Sequence, residues 1–87
     1  MLVMDGKMYL DLGGPDGNAF CLMGLVSGIL RDLDRKEDVK TVLFDMKSGD
    51  YEHLLKVMIR EIGDYIVLVN VPDMYYQLLE DIGANIH

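Results

Sequence analysis

Eighty-seven residues, 51% of them hydrophobic, suffice for one core and not two, because halves of this length rarely bury enough apolar surface to offset chain entropy. The eight Lys and Arg are scattered among fifteen Asp and Glu, for a formal charge of −7, which argues against direct binding to nucleic acid or anionic membranes, since both rely on clustered cations. No run reaches the roughly 18 apolar residues of a membrane span. Met1-Leu2-Val3-Met4-Asp5 lacks the basic start and long apolar stretch of a secretory leader, so a cytoplasmic protein is expected.

The chain opens as a β-hairpin: Asp5-Gly6 suits a tight two-residue turn between Leu2-Val3-Met4 and the segment Lys7 to Leu12. In the second arm Met8, Leu10 and Leu12 alternate with Lys7, Tyr9 and Asp11, so one face is buried and the other wet. A loop, Gly13-Gly14-Pro15-Asp16-Gly17-Asn18, leads into a helix running to about Asp34, with Ala19, Leu22, Met23, Val26, Ile29, Leu30 and Leu33 at helical spacing. Phe20, Cys21 and Leu25 add a second apolar strip, which places the first half of this helix centrally and makes Cys21 a small buried hydrophobe. Gly24 and Gly28, four apart, read as a notch for tight core or subunit packing.

Val39, Val42, Leu43 and Met46 carry a second helix, capped by Asp34 or Asp38 and ended by a left-handed Gly49. Asp50 offers the N-cap of a third, through Tyr51, Leu54, Leu55, Met58 and Ile62 to Gly63. The near-continuous apolar run Tyr65 to Val71 predicts a central strand covered on both faces. Beyond Pro72-Asp73, the residues Tyr75, Leu78, Leu79 and Ile82 mark a last short helix ended by Gly83. The expectation is a single α+β domain over residues 1–87, order β-β-α-α-α-β-α, with a two- or three-stranded sheet (the N-terminal hairpin plus a central C-terminal strand) packed by about four helices.

Chemistry-bearing groups are few. The glycine loop joins a strand to a helix, so its default role is to turn the chain and cap the helix through Asp16 or Asn18. Its backbone N–H groups and the positive helix end could instead gather around a phosphate, although Asp16 would oppose one. Gly13, Gly14, Gly17 and Asn18 are the candidate ligand-binding residues, with Tyr75 and Tyr76 as the aromatic pair able to stack on a base, because adjacent helix positions cannot both face the core. The acidic cluster Asp32, Asp34, Glu37 and Asp38 lacks the ligand and glycine spacing of a calcium loop and reads as a solvated helix junction. Cys21 is the lone cysteine, and His53 and His87 form no metal-ligand pattern beyond a weak Asp50-His53 pair. No metal and no cofactor is expected, and neither Ser27 nor Ser48 sits in a nucleophile context.

The segments Gly14-Pro15-Asp16-Gly17-Asn18-Ala19-Phe20 with Met23-Gly24, Ser48-Gly49-Asp50-Tyr51-Glu52-His53-Leu54 and Gly63-Asp64-Tyr65 resemble a group of small uncharacterised proteins of tailed bacteriophages and their bacterial hosts, over roughly Asp11 to Val69. The resemblance implies an accessory protein working in the host cytoplasm by binding, and it carries over no catalytic residue. Two readings follow. The first is a homo-oligomeric, non-enzymatic binder that sequesters a small phosphorylated, nucleotide-type signal in host defence. The alternative is an acidic protein-protein inhibitor of a host defence or nucleic-acid-binding enzyme, suggested by the −7 charge. A hydrolase using Asp11, Asp16 or His53 ranks below both.

Overall fold

The structure is a computed structural model that describes residues 2–4 and 6–87, with side-chain environments from Gly6 onward. Strands β1 (Leu2–Met4) and β2 (Lys7–Asp11) form the expected antiparallel hairpin, with Leu2 opposite Tyr9 and Met4 opposite Lys7. Gly6 takes φ +77° in the turn, a left-handed conformation that glycine adopts without steric cost. Asp5, the other half of the expected turn, lies outside the described residues.

Helices α1 (Ala19–Asp32), α2 (Val39–Lys47) and α3 (Tyr51–Ile62) follow, then strand β3 (Ile66–Val69) and helix α4 (Asp73–Asp81). The element order and the α+β class are those read from the sequence. The sheet order is β1-β2-β3, with β3 parallel to β2 in the register Met8 to Ile66 and Asp11 to Val69. The C-terminal strand is therefore not the central one. The three intervening helices return the chain beside β2, which takes the middle, and the outer edge of β3 is closed by the tail. There Leu68 N–H donates to the Asn85 carbonyl and His87 N–H to the Leu68 carbonyl, both at 2.8 Å. A strand edge satisfied in this way no longer templates pairing with another chain.

The expected two-faced burial of β3 is also corrected. Ile66 and Leu68 are buried against the helices while Val67 and Val69 are half-buried; on that second face Tyr9, opposite Val67, meets the His87 ring edge-on at 6.0 Å. The single core joins Leu10, Leu12, Ile66 and Leu68 of the sheet layer to Leu22, Val26 and Leu30 of α1, Met46 of α2, Leu55, Met58 and Ile62 of α3, and Leu79 of α4.

Helix ends follow the sequence in part. Asn18 Oδ1 accepts from Cys21 N–H and Asp50 Oδ1 from His53 N–H, each at 2.9 Å, so both side chains cap as expected and Asp16 does not. Gly83 (φ +82°) closes α4. Asp34, one of two candidate caps for α2, instead ends α1 at φ +61°: its N–H reaches the Arg31 carbonyl and that of Arg35 reaches Leu30, the paired bonds of a Schellman motif. Asp38, the other candidate, makes no side-chain cap and pairs with Arg35 at 2.9 Å. Gly49 is not left-handed; a Cβ there would stand 2.9 Å from His53 Cβ, so the residue is small because the α2–α3 turn folds the histidine over it.

Candidate functional site

Parallel pairing of β2 and β3 brings two strand ends together. Leu12 N–H extends the ladder to the Val69 carbonyl at 3.0 Å, and the chain then leaves β2 through the glycine loop and β3 through Asn70. Asp11 Oδ1 accepts from Gly13 N–H at 3.1 Å and from Asn70 Nδ2 at 3.2 Å, so one carboxylate ties the loop to the strand end beside it. Asn70 itself sits at φ +54°. Carboxyl ends of parallel strands are where open α/β sheets place ligands.

The loop is closely fitted. A Cβ on Gly13 would lie 2.6 Å from the Asn70 carbonyl oxygen, and one on Gly17 2.1 Å from that of Leu12. Gly17 N–H donates to Gly14 and Asn18 N–H to Pro15, closing a 3-10 turn over Pro15–Gly17. Asn18 Nδ2 also reaches the Pro15 carbonyl at 2.7 Å. Three of the expected anion donors, Gly13, Gly17 and Asn18, thus already have acceptors within the chain, and Gly14 faces the Asp11 carboxylate. The arrangement is that of a cap and turn.

The structure brings only one of the candidate tyrosines to this loop, and does so indirectly. Tyr51 Oη donates to the Gly17 carbonyl, and the Tyr51 ring packs on Tyr75 with centroids 5.2 Å apart. Burial beside Tyr75 pushes the Tyr51 phenol above its ordinary pKa, keeping it a neutral donor. Tyr76, turned about 100° around α4 from Tyr75, is 43% exposed. Tyr51 is the link that sequence reading missed, because helical spacing marks it as a core position and gives no sign of its hydroxyl partner. Beside it is an open pocket of about 250 Å³, lined by Ala19, Met23, Met46, Lys47, Gly49, Asp50, Tyr51 and Leu54.

His53 is a structural residue at the α2–α3 turn. Its Nε2 lies 2.9 Å from Asp45 Oδ1 and 3.3 Å from Ser48 Oγ. Serine and aspartate converge on the same ring nitrogen, so no relay from carboxylate through imidazole to hydroxyl can operate. Asp45 also accepts from Arg60, and Arg60 and Arg35 both reach Glu61 at 2.8 Å, a chain of ion pairs that clamps α2, α3 and the turn at Lys36–Asp38. Hydrogen bonds from Arg60 and His53 lower the pKa of Asp45, and those from Arg35 and Arg60 lower that of Glu61. No group of three metal-ligating side chains occurs among the described residues.

Compared with protein-family models, curated proteins and solved structures, the chain matches none.

Two exposed surfaces remain. On α4, positions 73, 77, 80 and 81 share one face by helical geometry, where Asp73, Gln77, Glu80 and Asp81 are all exposed and Gln77 Nε2 donates to Asp81 at 2.8 Å. Met74, 74% exposed, and Tyr76, 43% exposed, flank this ridge on its two sides. From Glu61 to His87 the sequence has five acidic residues and no Lys or Arg, and among the described residues no ion pair neutralises Asp73, Glu80 or Asp81. The second surface is the outer face of α1 with its neighbour α2. Phe20 and Phe44 are 84% and 75% exposed, and Cys21, Gly24 and Gly28 are open to solvent. The expectations of a buried Cys21 and a central first half of α1 are overturned: its apolar residues encircle the helix, and only the side bearing Leu22, Val26, Ile29 and Leu30 can reach the core. Apart from the helix's own backbone, no described residue comes within 4 Å of a Cβ on Gly24 or Gly28, so the glycine notch is not packed by the described residues of this chain.

Proposed function

We propose that this protein acts by binding another protein, its α4 face occupying a basic site of the kind that grips nucleic acid. The observation that carries the reading is the segregation of charge. Most of the net −7 resides beyond Arg60, where Asp73, Glu80 and Asp81 stand unneutralised between two exposed apolar side chains, Met74 and Tyr76. An acidic ridge speeds encounter with a basic surface, and a flanking aromatic or methionine side chain supplies the desolvated anchor that charge alone lacks. Asp11 and Asp16, exposed at the strand ends from which α4 departs, extend the same sign of potential.

Sequestration of a phosphorylated signal by the glycine loop is the second proposal. Its position at the ends of two parallel strands favours it; the internally bonded donors and the nearby Asp11 and Asp16 weigh against it. Capture from nuclease-treated bacterial lysate tests the first reading. The wild-type chain is expected to hold basic proteins at about 50 mM salt and release them at about 500 mM, as screening shortens the reach of charge. A Tyr76→Ala/Glu80→Gln chain is expected to lose them and a Phe20→Ser chain to keep them. Equal capture by the α4 variant, or recovery of the bait alone, contradicts the reading.

A further inference from the structure

Between Asp16 and Arg31 fourteen consecutive residues carry no charge, in a chain that is 26% charged. A helical stretch without charge on any side, as α1 is from Ala19 to Leu30 before its Arg31-Asp32 end, is built to be covered on every side, yet half of it faces solvent. That half is shaped by three positions spaced by four: Phe20, 84% exposed, then Gly24 and Gly28, where, beyond the helix's own backbone, no described atom would lie within 4 Å of a Cβ.

We infer that a second copy of this chain covers this face, its α1 packed antiparallel against the first about a twofold axis through Gly24. In that arrangement the Phe20 ring of each copy lies over Gly28 of the other, a bulky group against a notch, and the contact is self-complementary as a closed dimer requires. Charge selects the direction. Antiparallel packing sets the Arg31-Asp32 end of one copy, with Arg31 about 20° and Asp32 about 120° around the helix from Phe20, near Asp16 of the other, twice, and opposes the two helix dipoles, whereas parallel packing sets Asp16, Arg31 and Asp32 each against its own copy. The approach also brings together two acidic molecules on a stretch where neither presents a carboxylate. Being on α1, the contact leaves the α4 ridge free, and it stands or falls independently of that reading.

The native Cys21 makes the geometry testable. Under the twofold axis the two Cys21 residues are offset by six positions, roughly 9 Å along the helices, beyond the ~7 Å limit between Cα atoms for a disulfide; residues at position 24 face each other. Light scattering after size exclusion at about 100 µM is expected to give roughly twice the 9.9 kDa chain mass for wild type. Phe20→Ser and Gly28→Leu, both at exposed positions, are expected to give the monomer mass with unchanged far-ultraviolet circular dichroism. On mild oxidation Gly24→Cys/Cys21→Ser is expected to form a covalent dimer and wild type is not. A monomeric wild type, dimers that persist in both variants, or efficient cross-linking through Cys21 in place of position 24 would overturn the inference.

Discussion

The same chemical change, glycine to alanine, is expected to have opposite effects at Gly17 and Gly24. At Gly17 the new methyl would stand 2.1 Å from the Leu12 carbonyl oxygen, more than an ångström inside the roughly 3.3 Å of a close C···O contact. The obstacle is backbone at the end of a paired strand: Leu12 N–H is bonded to Val69, and Leu12 itself is buried. Neither side can yield without shifting the loop or the ladder, so the cost falls at the upper end of overpacking, about 3 kcal/mol. For a domain of this size that lowers Tm by roughly 12–24 °C. At Gly24, apart from the helix's own backbone, the methyl meets no described residue within 4 Å and the residue lies mid-helix, so alanine is expected to stabilise by about 0.5–1 kcal/mol through reduced backbone entropy loss. Thermal and urea unfolding followed by circular dichroism at low micromolar concentration, where association through α1 is minimal, measures both. A Gly17→Ala protein within about 0.5 kcal/mol of wild type, or equal shifts at the two sites, would refute the close fit between the glycine loop and the strand end.

Further expectations follow from the same contacts. Asn18→Ala removes the bond to Cys21 N–H and is expected to cost about 1 kcal/mol in urea unfolding, while Asn18→Asp retains most of it. Asp34→Gly relieves the left-handed φ of +61° at the end of α1 and is expected to stabilise by about 1 kcal/mol in the same assay. The carboxyls of Asp45 and Glu61 have folded pKa values below their unfolded ones, so the stability they lend is complete above the unfolded values and is lost as pH falls through the folded ones. Urea midpoints are therefore expected to decline as pH drops below about 4, and Arg60→Gln, which removes a partner of both groups, to flatten that decline.

The element order was legible because each helix and strand has its own period, and because Gly6, Asn18, Asp50 and Gly83 stand where turns and caps demand them. Sheet position was not. A four-residue apolar strand such as Ile66–Val69 reads the same whether covered by helices on both sides or by helices on one and a tail on the other, and the bridge to Ile86 has no local signal. Burial on α1 was misread for a related reason: apolar residues all around a helix do not say which half meets the core, so Phe20 and Cys21 were placed inside. At the candidate site the loop residues were found as a set, but their donors are spent on Asp11, Gly14 and Pro15, partners that only the folded chain reveals. The charge asymmetry of the last third is plain in the sequence; that Asp73, Glu80 and Asp81 form one ridge between Met74 and Tyr76 depends on where α4 begins.

The central claim, that α4 is the binding face, is tested most directly by titrating isotope-labelled protein with a basic amphipathic helical peptide of Lys and Leu, and separately with a panel of nucleotides, while recording amide chemical shifts. The account predicts that the peptide moves the amides of Asp73 to Asp81, that about 500 mM salt suppresses the change, and that Tyr76→Ala weakens it severalfold. Peptide-induced shifts confined to other helices, or nucleotide-induced shifts centred on Gly13 to Asn18 with α4 silent, would contradict it.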